Sequence, residues 1–363
     1  MAIRSINILF RPKRKSNRQS SLKISGTHPS DGSNTIFDNI GDILVLLKRN
    51  AALLLVLILL SYHNFVFAQV ESTPLRTYAT SPYQSTSLST QLRSAFSVDT
   101  TEVFITSSIA SVWAQSNDFQ LDYYQNQVFS GFQVPINNKV SAEIMLQYSW
   151  AGNNHLDSLV AGFHNTFGIA QNGRDEVDDD QFNIGSSYGS AIEDFEGETM
   201  AKALHSYLSY QFFETSEHAL SVGGSLYYNH VDDSEFSNIS FEQGLQLNYS
   251  YHSGVHTGFS TLGATHRKDD LALGSIPVSN TTMSFAAGYS LQFLKQYEML
   301  VEYHHYQGVL DDNSAFSEPS KEFVLGLRGT FDGVAVEIST TENMGNKDNS
   351  TDINFTVGLR FFL

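Results

Sequence analysis

The sequence contains no cysteine, so it has no disulfide framework and no thiolate metal site. Proline is sparse, at 7 of 363 residues, and tryptophan occurs only twice. Beyond residue 70 no apolar run approaches the roughly 20 residues that a membrane-spanning helix needs. Positive charge is scarce over most of the chain. Nine of the 21 Lys/Arg but only three of the 38 Asp/Glu lie in residues 1–68, leaving 12 basic and 35 acidic residues beyond them. A chain so acidic lacks the basic patch that nucleic acid requires. What it has instead is abundant Tyr and Phe, with Gly and Ser recurring inside strand-like runs.

The only strongly apolar run, Ala51–Leu60, follows Lys48-Arg49 and is too short to span a bilayer comfortably. Val66-Phe67-Ala68 satisfies the small-residue rule of signal peptidase. Residues 46–68 therefore read as a secretory signal, cleaved after Ala68. Residues 1–45 are basic, polar and aperiodic. They are either a cytoplasmic extension or the product of too early a start. The second is favoured, because a signal begins within a few residues of its basic end. Residues 69–101 are Ser/Thr/Pro-rich at first and read as an extended periplasmic lead-in, with room for a short strand at 88–98.

From Glu102 the pattern changes to period-two alternation, the signature of strands with one apolar face. Twelve segments show it: 102–113, 120–132, 139–151, 200–213, 217–229, 240–251, 254–267, 279–294, 296–307, 321–331, 333–343 and 351–363. A soluble sandwich also alternates, but here the connections alternate as well. Those after even-numbered segments are short, as at Thr215-Ser216 and Asp332-Gly333, and those after odd-numbered ones are mostly longer and polar. Short turns at one end and longer loops at the other are the habit of outer-membrane barrels. Hydrocarbon tolerates no open sheet edge, so the sheet must close. The expectation is an all-β protein: a transmembrane, antiparallel, up-and-down β-barrel of about 12 strands over residues 102–363. Ambiguity at 88–98 and 182–190 allows ten to fourteen. Trp113, Trp150, Tyr227 and Tyr297, near strand ends, are candidates for aromatic girdles.

Parity sorts the charges. With apolar positions facing lipid, Glu143, His205, Glu242, His256, Glu298, Glu302, Glu322, Arg328, Glu337 and Arg360 fall on the inner face. A two-residue Asp332-Gly333 turn sets Phe331 opposite Val334, and hence Arg328 directly across from Glu337. Gly244, Gly288, Gly326 and Gly358 also point inward and leave space. The candidate lumen lining is Glu143, Glu242, Glu298, Glu302, Arg328, Glu337 and Arg360. The closing strand 351–363 should pair with 102–113, with Arg360 joining Arg328 and Glu337 low in the barrel. Its lipid-facing row has the usual assembly pattern, with Leu363 in place of a final Phe.

Residues 152–199 form the longest connection, an extracellular loop. Leu156, Leu159, Val160, Phe163 and Phe167 lie on one face of a short helix, which Asn154 or Asp157 can cap and Gly168 can end. The acidic run that follows, to Asp180, lacks the ordered spacing of a calcium loop. No metal, cofactor or catalytic residue is assigned.

Leu156–Gln181 is similar to the hallmark segment of a Gram-negative family of unknown function, domain family number 3187. The resemblance rests on a helix-like run with the aromatic-His pair Phe163-His164, then Phe167-Gly168, then Gly173 with Arg174-Asp175. It implies an exported, outer-membrane-barrel protein and carries no activity or substrate. The extended N-terminus departs from the family pattern. Three functions stay in view. The first is a passive channel or small-solute pore. The second is a non-conducting surface barrel that binds lipopolysaccharide or a partner through acidic outer loops. The third is a lipid hydrolase using His304 or His230, for which no His-x-Ser-Asn arrangement is found, so the chain reads as no enzyme. Expected partners are outer-membrane lipid, lipopolysaccharide and the barrel-assembly machinery. No nucleic acid is expected, and oligomeric state stays open.

Overall fold

In the computed structural model the described residues are 72–363, without 117, 155, 157–180, 190, 269, 270, 274, 312, 313, 344, 347, 348 and 350. The expected signal and N-terminal extension, and the expected loop helix with the motif Phe163, His164, Phe167, Gly168, Gly173, Arg174 and Asp175, lie outside them.

Sixteen strands follow in chain order. They are β1 (Glu102–Gln115), β2 (Phe119–Asn137), β3 (Val140–Ala151), β4 (Asn183–Ser186), β5 (Ala191–Glu193), β6 (Thr199–Glu214), β7 (His218–Val231), β8 (Asn238–Ser253), β9 (His256–Arg267), β10 (Leu271–Ala272), β11 (Ile276–Pro277), β12 (Thr281–Leu294), β13 (Tyr297–Tyr306), β14 (Ser320–Phe331), β15 (Val334–Asn343) and β16 (Ile353–Phe362). Twelve of them form a closed antiparallel ring, because β1 pairs with both β2 and β16. The other four are short ribbons in the long connections. β4 pairs with the start of β2, and β5 with β4, so the ambiguous stretch near 182–190 extends the wall at one corner without adding a span. The described helical elements are the 3-10 turns Gln84–Thr86 and Ala315–Ser317.

Alternation places Leu245, Leu208, Val357, Ile338 and Leu262 on the outer face, each at least half exposed. In water such a belt would drive aggregation. Against lipid it is the apolar band that holds a barrel in its membrane. The turns set the register. Asp332 and Gly333 both adopt positive φ, as a type I′ turn demands. Phe331 therefore pairs with Val334 and Arg328 with Glu337, as parity required. At another short turn the Asn137 carboxamide accepts from the Lys139 and Val140 N–H groups, the side-chain turn that asparagine favours.

Three expectations need correction. Tyr227 and Trp113 are buried, so they are not girdle residues, whereas Tyr297 is exposed and packs on Phe331. His256 stacks on the lipid-facing Tyr289 at the short-turn end, because its odd-numbered neighbours Thr257, Phe259 and Thr261 take the inner face. Most importantly, residues 72–101 are not a lead-in outside the barrel. They run inside it, and 88–98 forms no strand.

The belt makes a direct prediction. Leu245→Arg should lower unfolding stability in phospholipid vesicles by about 2–4 kcal/mol, the cost of a cation at the bilayer midplane. Urea titration of the refolded barrel measures it. An unchanged midpoint would mean that Leu245 does not face lipid.

Candidate functional site

The inserted segment, here called the strap, makes one loop through the lumen. Its first leg rises from Ser72, beside Glu298, to Thr80 and Ser81 beside Glu322. The apex is the 3-10 turn Gln84–Thr86, closed by the Ser85 N–H donating to the Ser81 carbonyl. The second leg descends through Leu88, Leu92 and Ala95 to Thr101, whose carbonyl accepts from the N–H of Leu363. Both legs therefore end where β1 begins and β16 finishes, at the short-turn end.

An irregular backbone inside a barrel must find partners for its polar groups. The wall supplies them. The Ser85 carbonyl accepts from the Gln127 and Gln147 amides at 3.0 and 2.7 Å, and the Thr86 carbonyl from the Tyr227 hydroxyl at 2.7 Å. The Ser250 hydroxyl accepts from the Ala95 N–H, and the Pro74 carbonyl accepts from Arg328 and Arg360.

The inward glycines that left space in the sequence are filled. A Cβ on Gly288 would lie 2.6 Å from Leu92, one on Gly326 2.5 Å from Leu75, and one on Gly244 3.3 Å from Leu88. Gly263 faces Thr90 still more closely. The space at these four glycines belongs to the strap. Gly358 instead faces Glu337.

Charge completes the fit. Seven inward wall glutamates each accept at least one hydrogen bond from the strap. Glu302 takes the Leu75 N–H, and Glu337 the Arg76 N–H. Glu322 takes the Thr80 and Ser81 N–H groups, and Glu242 the Leu88 N–H. Glu298 takes the Ser72 hydroxyl, and Glu102 and Glu143 take the Arg76 guanidinium. Of the predicted lining, Glu143, Glu242, Glu298, Glu302, Arg328, Glu337 and Arg360 are all buried here.

The lower half forms one network. Arg328 bridges Glu298 and Glu337, at 3.1 and 2.7 Å. Arg360 bridges Glu337 and Glu102, at 3.0 and 2.6 Å. With Glu143 beside them, the wall offers four carboxylates, Glu102, Glu143, Glu298 and Glu337, and only two guanidiniums. Arg76 and Arg93 of the strap supply the missing two positive charges. Both converge on Glu143, Arg93 at 2.7 Å, so one wall carboxylate ties the rising leg to the descending leg. Arg76 also lies over the Phe104 ring and Arg93 over Tyr207, 4.0 and 4.4 Å from the centroids. Such cation–π contacts strengthen where water is excluded.

Sequence reasoning missed Glu102, Arg76 and Arg93. One signal for the arginines was present: residues 72–98 contain these two charges and no acid, within a strongly acidic chain. Of the candidate hydrolase histidines, His304 engages Glu302 at 3.0 Å and Tyr306 at 3.2 Å, and His230 lies 2.9 Å from Asp232. No group of three His, Asp or Glu able to hold a metal occurs among the described residues.

A closed antiparallel barrel with an apolar outer belt, a polar inner face and an internal strap defines the class: a transmembrane β-barrel of the outer-membrane type. The chain belongs to the family described as protein of unknown function (DUF3187), whose model matches residues 51–362. No curated protein matches it. Among solved structures it is similar to the COG4313 outer membrane channel from Pseudomonas putida F1, with 10% identity, a TM-score of 0.48, and 74% of this chain and 97% of that one covered. It is also similar to the KdgM porin in complex with disordered oligogalacturonate, at 8% identity and a TM-score of 0.39, over 72% of this chain and 98% of that one. The P. putida toluene transporter TodX matches at 9% identity and a TM-score of 0.38, over 74% and 91%. These likenesses concern barrel architecture alone.

The shared carboxylate gives a second prediction. Glu143→Gln leaves two buried guanidiniums without their common counterion, a loss of the kind that costs about 3–5 kcal/mol. The strap should then loosen while the barrel remains. Maleimide labelling of a Thr90→Cys variant reports this, since the chain has no native thiol to interfere. Labelling should be slow with Glu143 and fast with the glutamine. Equal rates would mean that Glu143 does not hold the strap.

Proposed function

We propose that the protein is an outer-membrane channel for small solutes, held shut by its own strap at residues 72–98. On this reading the short-turn end faces the periplasm and the long loops face outward. The single observation that carries it is the character of the seal. The lumen is closed by a separate stretch of chain, whose buried ion pairs and hydrogen bonds to a polar wall accompany the apolar contacts of Leu75, Leu88 and Leu92.

A buried ion pair gains little over its two hydrated partners, because desolvation offsets most of the attraction. Withdrawing the strap returns Arg76, Arg93 and the wall carboxylates to water. The open, wetted lumen is therefore closer in free energy to the closed one than it would be with a wholly apolar plug. A cavity of about 300 Å3 already lies at the short-turn end, between the strap and Gln133, Ser141 and Arg360.

A second reading keeps the strap permanently in place, so that the barrel is a non-conducting surface protein. The filled lumen favours it. No observation favours lipid hydrolysis, since the hydrogen bonds of His304 go to Glu302 and Tyr306.

Planar-bilayer recordings separate the two readings. The intact protein should be mostly silent with rare openings. Removing residues 72–98 should give steady conductance, and the Arg76→Ala/Arg93→Ala pair should raise the open probability. A Thr90→Cys/Gly263→Cys cross-link should abolish openings until a reductant is added. Silence of the folded barrel without its strap would overturn the channel reading.

A further inference from the structure

The lumen mixes ion pairs, hydrogen bonds and small apolar clusters along most of its length, and turns predominantly apolar at its long-loop end. There the largest buried apolar cluster of the described residues gathers Phe119, Leu121 and Tyr123 of β2 with Ile184 of β4, Met200 of β6, and Phe236, Ile276, Leu310 and Phe316 of the connections. These side chains do not fill the space they enclose. They line a chamber of about 610 Å3, with Tyr83, Thr86 and Ser87 of the strap apex also in its lining. That volume is within the roughly 300–1,000 Å3 usual for small-molecule sites, as is an apolar wall with a few polar groups.

We propose that this chamber binds a neutral, predominantly apolar small molecule, resting on the apex of the strap. The charges in the lining decide the class. Arg267 is the one cation, and it is already committed: it lies 3.5 Å from Glu242, donates to the Ser279 carbonyl at 2.8 Å, and reaches the Thr282 hydroxyl at 3.3 Å. Glu235 and Glu242 outnumber it, so the lining is net negative. An amphiphile with a carboxylate or phosphate head would meet like charge and no available cation. An uncharged molecule needs only apolar area and one or two hydrogen bonds, which Ser240, Thr86 and Ser87 are placed to offer. An occupied chamber would also touch the apex directly, so its ligand is in position to influence the strap.

The binding claim does not depend on conduction and is measured with the strap in place. The probe is N-phenyl-1-naphthylamine, titrated into the full-length protein in nanodiscs against protein-free nanodiscs. We expect saturable, blue-shifted emission at one probe per protein. Ala272→Trp, which places an indole against the chamber wall, should weaken it about tenfold or more, as overfilling a packed space does. Phe236→Ala, which cannot overfill, should also weaken it, so the result does not hang on one variant. Heat-modified gel mobility verifies folding of both. Dodecanol should displace the probe and dodecanoate should not. Absence of a saturable component, full affinity in both folded variants, or equal displacement by the carboxylate would each overturn the proposal. So would binding that emerges only after deletion of residues 157–180, which would make that loop the occupant.

Discussion

Carboxylates inside a barrel must be satisfied, and that constraint organises this molecule. Seven glutamates project from the wall into the space it encloses. An isolated buried carboxylate is costly, and it becomes tolerable only when charge and hydrogen bonds are returned to it. Three wall arginines, Arg267, Arg328 and Arg360, supply part of the charge, and the strap supplies more with Arg76, Arg93 and a series of backbone N–H groups. The wall and strap are therefore complementary halves of one electrostatic unit. Either half alone would hold water or counterions in the lumen.

This division explains what could be read from the sequence. Strand period, turn chemistry and parity are local properties, so the twelve spans and the closure of β1 on β16 followed from them. So did the pairing of Arg328 with Glu337, which needed only a two-residue turn and a count back along two strands. The strap has no such period. Its contacts join residues more than 200 positions apart, as between Leu75 and Glu302, and a Ser/Thr/Pro-rich stretch without alternation reads as a linker. The inward glycines were legible as space. That the space was already taken could not be read, because a glycine does not reveal what approaches it. His256 and Tyr227 failed for a smaller reason: near strand ends and on aromatic-rich strands, parity counted from the apolar residues loses its reference.

The mouth follows a different rule from the lumen. Its aromatic and aliphatic collar is built partly by the connections β7–β8, β9–β12 and β13–β14, whose apolar residues turn inward over the strap apex. Loops fold this way when their greasy side chains can share a core. A continuous core would have left no chamber. The one found here is open because the polar apex, with Thr86 and Ser87, forms part of its boundary and cannot be drawn into the apolar packing.

The path of the strap bears on whether such a seal can move. A segment threaded once from end to end could leave only by drawing its whole length through the barrel. Here both ends of the strap lie at the short-turn end, and the stretch from Thr80 over the turn Gln84–Thr86 to Leu88 reaches the far side. The loop can retreat in one direction without unthreading, provided its ties to the wall release together. Glu143 makes that cooperative, because it holds Arg76 on the rising leg and Arg93 on the descending leg. Freeing one arginine leaves the carboxylate paired and the other leg in place, whereas removing the carboxylate frees Arg93 and leaves Arg76 paired with Glu102. The descending leg runs directly into β1, and the rising leg is tied to the wall by its bonds to Glu298, Glu302, Glu322 and Glu337. Among the described wall carboxylates Arg93 is held by Glu143 alone and Arg76 by Glu102 as well, so the pair of Arg93 with Glu143 should yield before the rising leg lets go of Glu102.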